Sequence, residues 1–124
     1  MATLTPVRFR HAAQALTTAL TALFEATEAE LDARARLERK ETELLLSGRV
    51  EGTNERERRA WLRQHLTQEH ESLEAAARVT RAARLQLEHA RVKWDALRYG
   101  LRLLEATRHQ HADTHEHERT PTYP

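Results

Sequence analysis

The chain has 124 residues, with 31% charged residues, 5% aromatics, three glycines and three prolines, about one domain's worth of sequence. That mix argues for long helices and against Rossmann, barrel and sandwich folds, which need glycine or proline turns roughly every 8–12 residues. The stretches from Val7 to Ser47 and from Thr53 to Tyr99 contain neither residue, and 20 Lys and Arg against 19 Asp and Glu give a net charge of +1. Overall charge therefore selects neither a nucleic acid nor a basic partner.

No cysteine is present, so there is no disulfide framework and no thiolate metal site, in keeping with a reducing compartment. The longest apolar run is Leu44-Leu45-Leu46, far below the roughly 20 residues of a membrane span. The first residues lack the h-region of a signal peptide. The expectation is a cytoplasmic protein with no membrane association.

In chain order, Thr5-Pro6 reads as a helix start, because threonine caps free amides and proline at the next position loses only a donor that has no partner. Helix one is expected over about 6–47, the loop over 48–53, and helix two over about 54–108. Gly48 suits the left-handed residue just past a helix end, and Gly52 is the second glycine of the loop. Asn54 with Glu57 three residues later reads as an N-cap with its capping-box partner. Residues 109–124 hold four of the eight histidines and two of the prolines. With no aliphatic side chain larger than Ala112, they are expected to stay a disordered tail. The predicted fold is all-α, a long antiparallel helical hairpin over residues 1–108.

In helix two, Leu62, Leu66, Glu69, Leu73, Ala76, Thr80, Ala83, Leu87, Ala90, Trp94, Leu97, Leu101 and Leu104 alternate at spacings of four and three, a coiled-coil signature. In helix one, Phe9, Ala13, Leu16, Leu20, Leu23 and Thr27 keep the rhythm. Glu30 and Arg34 would then fall on the seam, so a stutter through Phe24, Thr27, Leu31 and Ala35 is expected. A turn centred near Val50-Glu51 would set Phe9 opposite Val92 to Trp94 and leave helix two unpartnered beyond about Ala96.

A second apolar stripe, Ala75, Val79, Ala82, Leu85, Val92, Ala96, Tyr99 and Leu103, lies away from that seam. A helix apolar on two faces packs on two faces. A homodimer is therefore expected, forming a four-helix arrangement through Val79, Ala82, Leu85, Val92, Ala96, Tyr99 and Leu103. The competing reading is that alanine-rich helices simply look apolar.

Residues 48–108 carry 13 basic against 9 acidic side chains. Arg78, Arg84, Arg91, Arg98 and Arg102 belong to this excess, and Arg84, Arg91 and Arg98 sit seven apart. Such a ridge suits backbone phosphates; equally, it suits pairing with acids such as Glu25, Glu28 and Glu30 of a neighbouring helix. Arg56, Arg58 and Arg59 follow the loop, where arginine is mildly unfavourable for the helix dipole. They are candidates for partner or nucleic-acid contact, against the alternative of a solvated face.

His109, His111, His115 and His117 have spacings that hold metal weakly, yet without a rigid frame they read as a solvated tail. No Walker loop, Gly-x-Ser-x-Gly or His-Glu-x-x-His motif is present. The expectation is a non-enzymatic protein with no metal, cofactor or small-molecule substrate.

The loop and its flanks, Leu44 to Leu62, contain Gly48, Gly52, Asn54 and Arg58 as Gly-x-x-x-Gly-x-Asn-x-x-x-Arg. This pattern resembles small uncharacterised helical-hairpin proteins of phages and prophages, often found near recombination genes. The resemblance covers about 19 residues. It implies an accessory or inhibitor of DNA-processing machinery, with direct nucleic-acid binding and a structural scaffold as the alternatives.

Overall fold

The computed structural model describes residues 5–119, with side chains through Ala112, and its three helices are α1 (Pro6–Leu46), α2 (Glu55–His65) and α3 (Thr67–Arg119). The fold is an all-α helical hairpin. Two compact units make it up, Met1–Thr17 with Glu88–Pro124 (the terminal unit) and Thr18–Leu87 (the loop unit).

The start of α1 follows from its sequence. Thr5 Oγ1 accepts from the Arg8 amide at 3.3 Å, and Pro6 occupies the first helical position, where its missing N–H costs nothing. With no glycine or proline to interrupt it, α1 runs 41 residues. It ends where Gly48 takes φ 71°, the left-handed conformation that glycine adopts without a Cβ penalty. Ser47 Oγ donates to the Leu44 carbonyl at 2.7 Å, satisfying an acceptor freed at that end.

Leu66 divides the second arm into two helices. Its backbone leaves helical geometry at φ −115°, ψ 30°, and Thr67 Oγ1 donates to the Gln64 carbonyl at 2.9 Å, occupying an acceptor freed at the break. The expected single helix over 54–108 is therefore two. No glycine or proline marks the division; a buried leucine followed by a back-bonding threonine does.

The expected tail is also corrected. α3 continues past Arg108 to Arg119, because extending an existing helix fixes one residue per added hydrogen bond, and 109–119 contain no glycine or proline. Residues 120–124 lie outside the described residues.

Within the loop unit the seam is built from small residues. Ala19, Ala26, Ala33 and Leu37 of α1 are buried, as are Leu66, Thr80, Ala83 and Leu87 on the other arm. The α1 seam thus keeps an unbroken heptad through Ala19, Leu23, Ala26, Glu30 and Ala33, with no stutter. Leu20, Phe24 and Leu31, expected in the seam, are exposed, Phe24 by 66%, and so is Ala35. The reason is steric: alanines at heptad spacing let the two backbones approach closely at Ala19, Ala26 and Ala33, and the larger residues one place out of phase are left outside the seam.

Thr80 is the most enclosed of these residues, at 1% exposure. Its hydroxyl lies 3.2 Å from the Ala26 carbonyl across the seam and 3.1 Å from Ala76 O on its own helix. Lys40 Nζ pairs with Glu69 at 2.7 Å. Ala26 is thus opposite Thr80 rather than Ala75, and Lys40 opposite Glu69 rather than Trp61. α2 has no buried residue, so close pairing begins only at Leu66 and the register moves by more than a turn.

The terminal unit packs differently. Phe9 meets Trp94 edge-on, with centroids 6.1 Å apart and planes at 88°, the favoured geometry for two ring quadrupoles. That pairing matches the expected register. Leu101 and Leu104 share a groove with Thr5, Pro6 and Phe9, so the unpartnered part of α3 starts later than Ala96. Among the described residues no helix is long and apolar enough to cross a membrane.

Candidate functional site

Every side chain of the expected dimer surface is exposed. Val79, Ala82 and Leu85 lie in the loop unit, and Val92, Ala96, Tyr99 and Leu103 in the terminal unit. Val92 is 67% exposed and Tyr99 64%. Their outward direction follows from the heptad: with Ala83, Leu87 and Ala90 buried in the seam, positions one or two places out of phase must point away from it.

The terminal unit also carries a groove of about 710 Å³ lined by Arg8, His11, Ala12, Ala15, Lys93, Ala96, Leu97 and Gly100. Four of its lining residues, Ala12, Ala15, Ala96 and Gly100, are small, and every ionisable side chain on the lining is basic. Of these residues the sequence points to Leu97, through the heptad column, and to Ala96, through the second apolar stripe.

Arg78 and Arg84 are exposed in the loop unit, and Arg91, Arg98 and Arg102 in the terminal unit. None of the five makes an ion pair or side-chain hydrogen bond among the described residues. The acids Glu25, Glu28 and Glu30 of the same chain do not pair with them.

At the loop, Asn54 Oδ1 accepts from the Glu57 amide at 2.8 Å, the expected N-cap. Glu57 Oε2 accepts from the Thr53 amide and the Thr53 hydroxyl, both at 2.8 Å. The capping partner therefore reaches one residue further back than the standard box. Those two bonds, the Thr53 amide first, hold the Glu57 carboxyl below its usual range. Glu69 is lowered likewise, chiefly by the hydrogen bond from Lys40.

Gly52 adopts φ 143°, and a Cβ there would fall 2.8 Å from the Arg58 nitrogen. The backbone amide of Arg58 bonds to Asn54 O at 3.1 Å; its guanidinium does not tie the loop carbonyls. Arg59 forms an exposed ion pair with Glu55 at 2.7 Å, and Arg56 stays exposed. Arg58, Arg59 and Arg63 line an open groove with Leu45, Leu62 and Glu55. Of the loop signature, Gly52 and Asn54 lie against the Arg58 backbone, and for Gly48, Gly52 and Asn54 the chain geometry supplies a structural duty.

His109 and His111 have described side chains, while those of His115 and His117 lie outside the described residues. Among the described residues no group of three or more His, Asp or Glu is placed to hold a metal.

The exposed α1 face of Leu20, Phe24 and Leu31 escaped the sequence reading, which drew large apolar residues into the seam. The signal that finds it is the alanine column Ala12, Ala19, Ala26, Ala33, repeating every seven residues. The chain matches no protein-family model, no curated protein and no solved structure.

Proposed function

We propose that the protein is a non-catalytic interaction module that works by helix-to-helix docking and associates with a second copy of itself. The observation that supports this most is the exposed outer face of α3. Within the terminal unit alone, Val92, Tyr99 and Leu103 are each more than half exposed, and contiguous apolar surface of that kind marks association sites. Sedimentation velocity at micromolar concentration tests it. A dimer is expected, with Val92→Asp/Leu103→Asp shifting the protein to monomer at unchanged helicity; a monodisperse wild-type monomer overturns the self-association.

The loop resemblance supports a further partner within DNA-processing machinery, on which the protein acts as accessory or inhibitor. Arg58→Ala/Arg59→Ala would then abolish capture of that partner. A second reading, direct nucleic-acid binding along Arg84, Arg91 and Arg98, draws on the exposure of all three and their lack of intramolecular ion pairs. It requires an affinity for DNA or RNA that falls steeply with salt and disappears when the three become Glu. Absence of any shift of labelled nucleic acid at low salt removes it.

A further inference from the structure

α1 changes charge sign along its length. Residues 5–17 contain Arg8, Arg10 and His11 and no acid, whereas residues 18–33 contain Glu25, Glu28, Glu30 and Asp32 and no base. The acidic stretch also presents an apolar stripe. Leu20, Phe24 and Leu31 are exposed by 47%, 66% and 50%, and their spacings of four and seven put them on one face of the helix, with Glu28 and Asp32 along its edge. On the opposite side of that stretch Ala19, Ala26 and Ala33 are buried, so the seam does not compete for the stripe.

The groove of the terminal unit has the opposite character. Arg8, His11 and Lys93 line it together with Leu97 and the small residues Ala12, Ala15, Ala96 and Gly100. Small lining residues let a third helix backbone come close, while the basic side chains favour one whose flanks are acidic. This chain supplies such a helix, already folded and with its apolar side chains in water.

We infer that the basic groove of the terminal unit seats the Leu20, Phe24 and Leu31 face of α1 from a second copy. The contact rests on the self-association proposed above and specifies which surface of the second copy covers Ala96 and its neighbours. Phe24 is the anchor, since a large aromatic entering a groove lined by small residues removes the most apolar area from water. Glu28 and Asp32 meet Arg8, His11 and Lys93, which makes the contact sensitive to salt.

Charge exchange between two full-length variants tests this assignment. One variant carries His11→Glu and Lys93→Glu in the groove; the other carries Glu28→Lys and Asp32→Lys beside the stripe. All four positions are exposed, and circular dichroism confirms that each variant remains helical. Each alone should dimerise at least roughly tenfold more weakly than wild type near 0.1 M salt, because like charges then face each other. Mixed in equal amounts they should associate about as tightly as wild type, since the groove of each variant then faces a stripe of opposite charge. Phe24→Asp should weaken the dimer in any combination.

A wild-type dimer that neither charge variant weakens overturns the groove assignment while leaving self-association intact. Weakened variants that stay apart on mixing overturn it as well. A wild type that remains monomeric at about 100 μM, a concentration at which even micromolar affinity would be saturated, overturns both this inference and the self-association on which it rests.

Discussion

The two units solve the same packing problem with different residues. Among the described residues, eight of the nine buried positions lie in the loop unit, Ala19, Ala26, Ala33, Leu37, Leu66, Thr80, Ala83 and Leu87, and one, Ala90, in the terminal unit. The loop unit reaches that state with small side chains in a narrow seam. The terminal unit holds the bulkier pair Phe9 and Trp94 together with Leu101 and Leu104, which stay 40% and 50% exposed. The loop unit buries Leu37, Leu66 and Leu87 beside its alanines, whereas Leu101 and Leu104 of the terminal unit keep their outer edges wet. Most of the buried side chains therefore lie in the loop unit, while exposed apolar surface remains on both, Leu20, Phe24 and Leu31 in the loop unit and Val92, Tyr99 and Leu103 in the terminal unit.

The largest expected effect follows from this contrast. Leu87→Ala should cost about 2–5 kcal/mol, the range for emptying a buried leucine site, whereas Leu101→Ala at a concentration that keeps the protein monomeric should cost under about 1 kcal/mol. Urea titration of both variants measures the difference. Equal losses would break the contrast between the units. Next in size, Ala83→Leu should destabilise by about 1–3 kcal/mol through overpacking, while Ala96→Leu, at an exposed position, should leave monomer stability within about 0.5 kcal/mol. The second variant still fills the groove, so it separates folding from docking.

The hairpin was legible because its signals are local. Thr5-Pro6, Gly48 and Asn54 with Glu57 each fix one helix end through a single bond or dihedral, and such marks do not depend on the rest of the chain. Register and seam were less legible. Leu20, Phe24 and Leu31 are more hydrophobic than Ala19, Ala26 and Ala33, so a reading that weighs hydrophobicity chooses them. Backbone approach chooses the alanines, because an exposed leucine loses less than a seam forced apart by bulky residues. The break at Leu66 was illegible for a different reason: no glycine or proline marks it, and it shows only in the Leu66 dihedrals and in the back-bonding Thr67 hydroxyl. The same misassignment hid the apolar face of α1, and with it the groove partner, since residues placed in a seam cannot also be read as a docking surface.

At the loop, Gly52→Ala should cost about 1–3 kcal/mol, the range for a residue forced into sparsely populated backbone geometry, because its Cβ would stand 2.8 Å from the Arg58 nitrogen and 3.0 Å from the Glu57 carbonyl carbon. Gly48→Ala meets open space and carries only the left-handed penalty, about 1–2 kcal/mol. Thermal unfolding of the two variants should rank them in that order. The reverse ranking would mean that the tight turn at Gly52 relaxes without disturbing α2.

The smallest expected effect is a pH dependence confined to the loop unit. Glu57 and Glu69 both lie there, and both have carboxyl groups held below the usual range, Glu57 by the Thr53 amide and hydroxyl and Glu69 by Lys40. A carboxyl whose folded-state pKa is depressed binds fewer protons when folded than when unfolded. Its contribution is complete above the unfolded value, near pH 4.3 for glutamate, and is lost as pH falls through the lower folded value. The melting temperature of the wild type should therefore fall on acidification from about pH 5 to pH 3 more than that of a Glu57→Gln/Glu69→Gln variant, which cannot take up those protons. Lys40 is about half exposed although the Glu69 side chain is largely covered, so salt should narrow the gap for this ion pair more than for the neutral donors around Glu57. Repeating the acid series with Glu57→Gln and Glu69→Gln singly, at low and high salt, separates the two. Amide exchange then locates the response. Acid loosening that starts in α2 and beside Glu69 is expected, and loosening that starts around Phe9 and Trp94 instead would show that the terminal unit, for all its exposed surface, sets the acid limit of the fold.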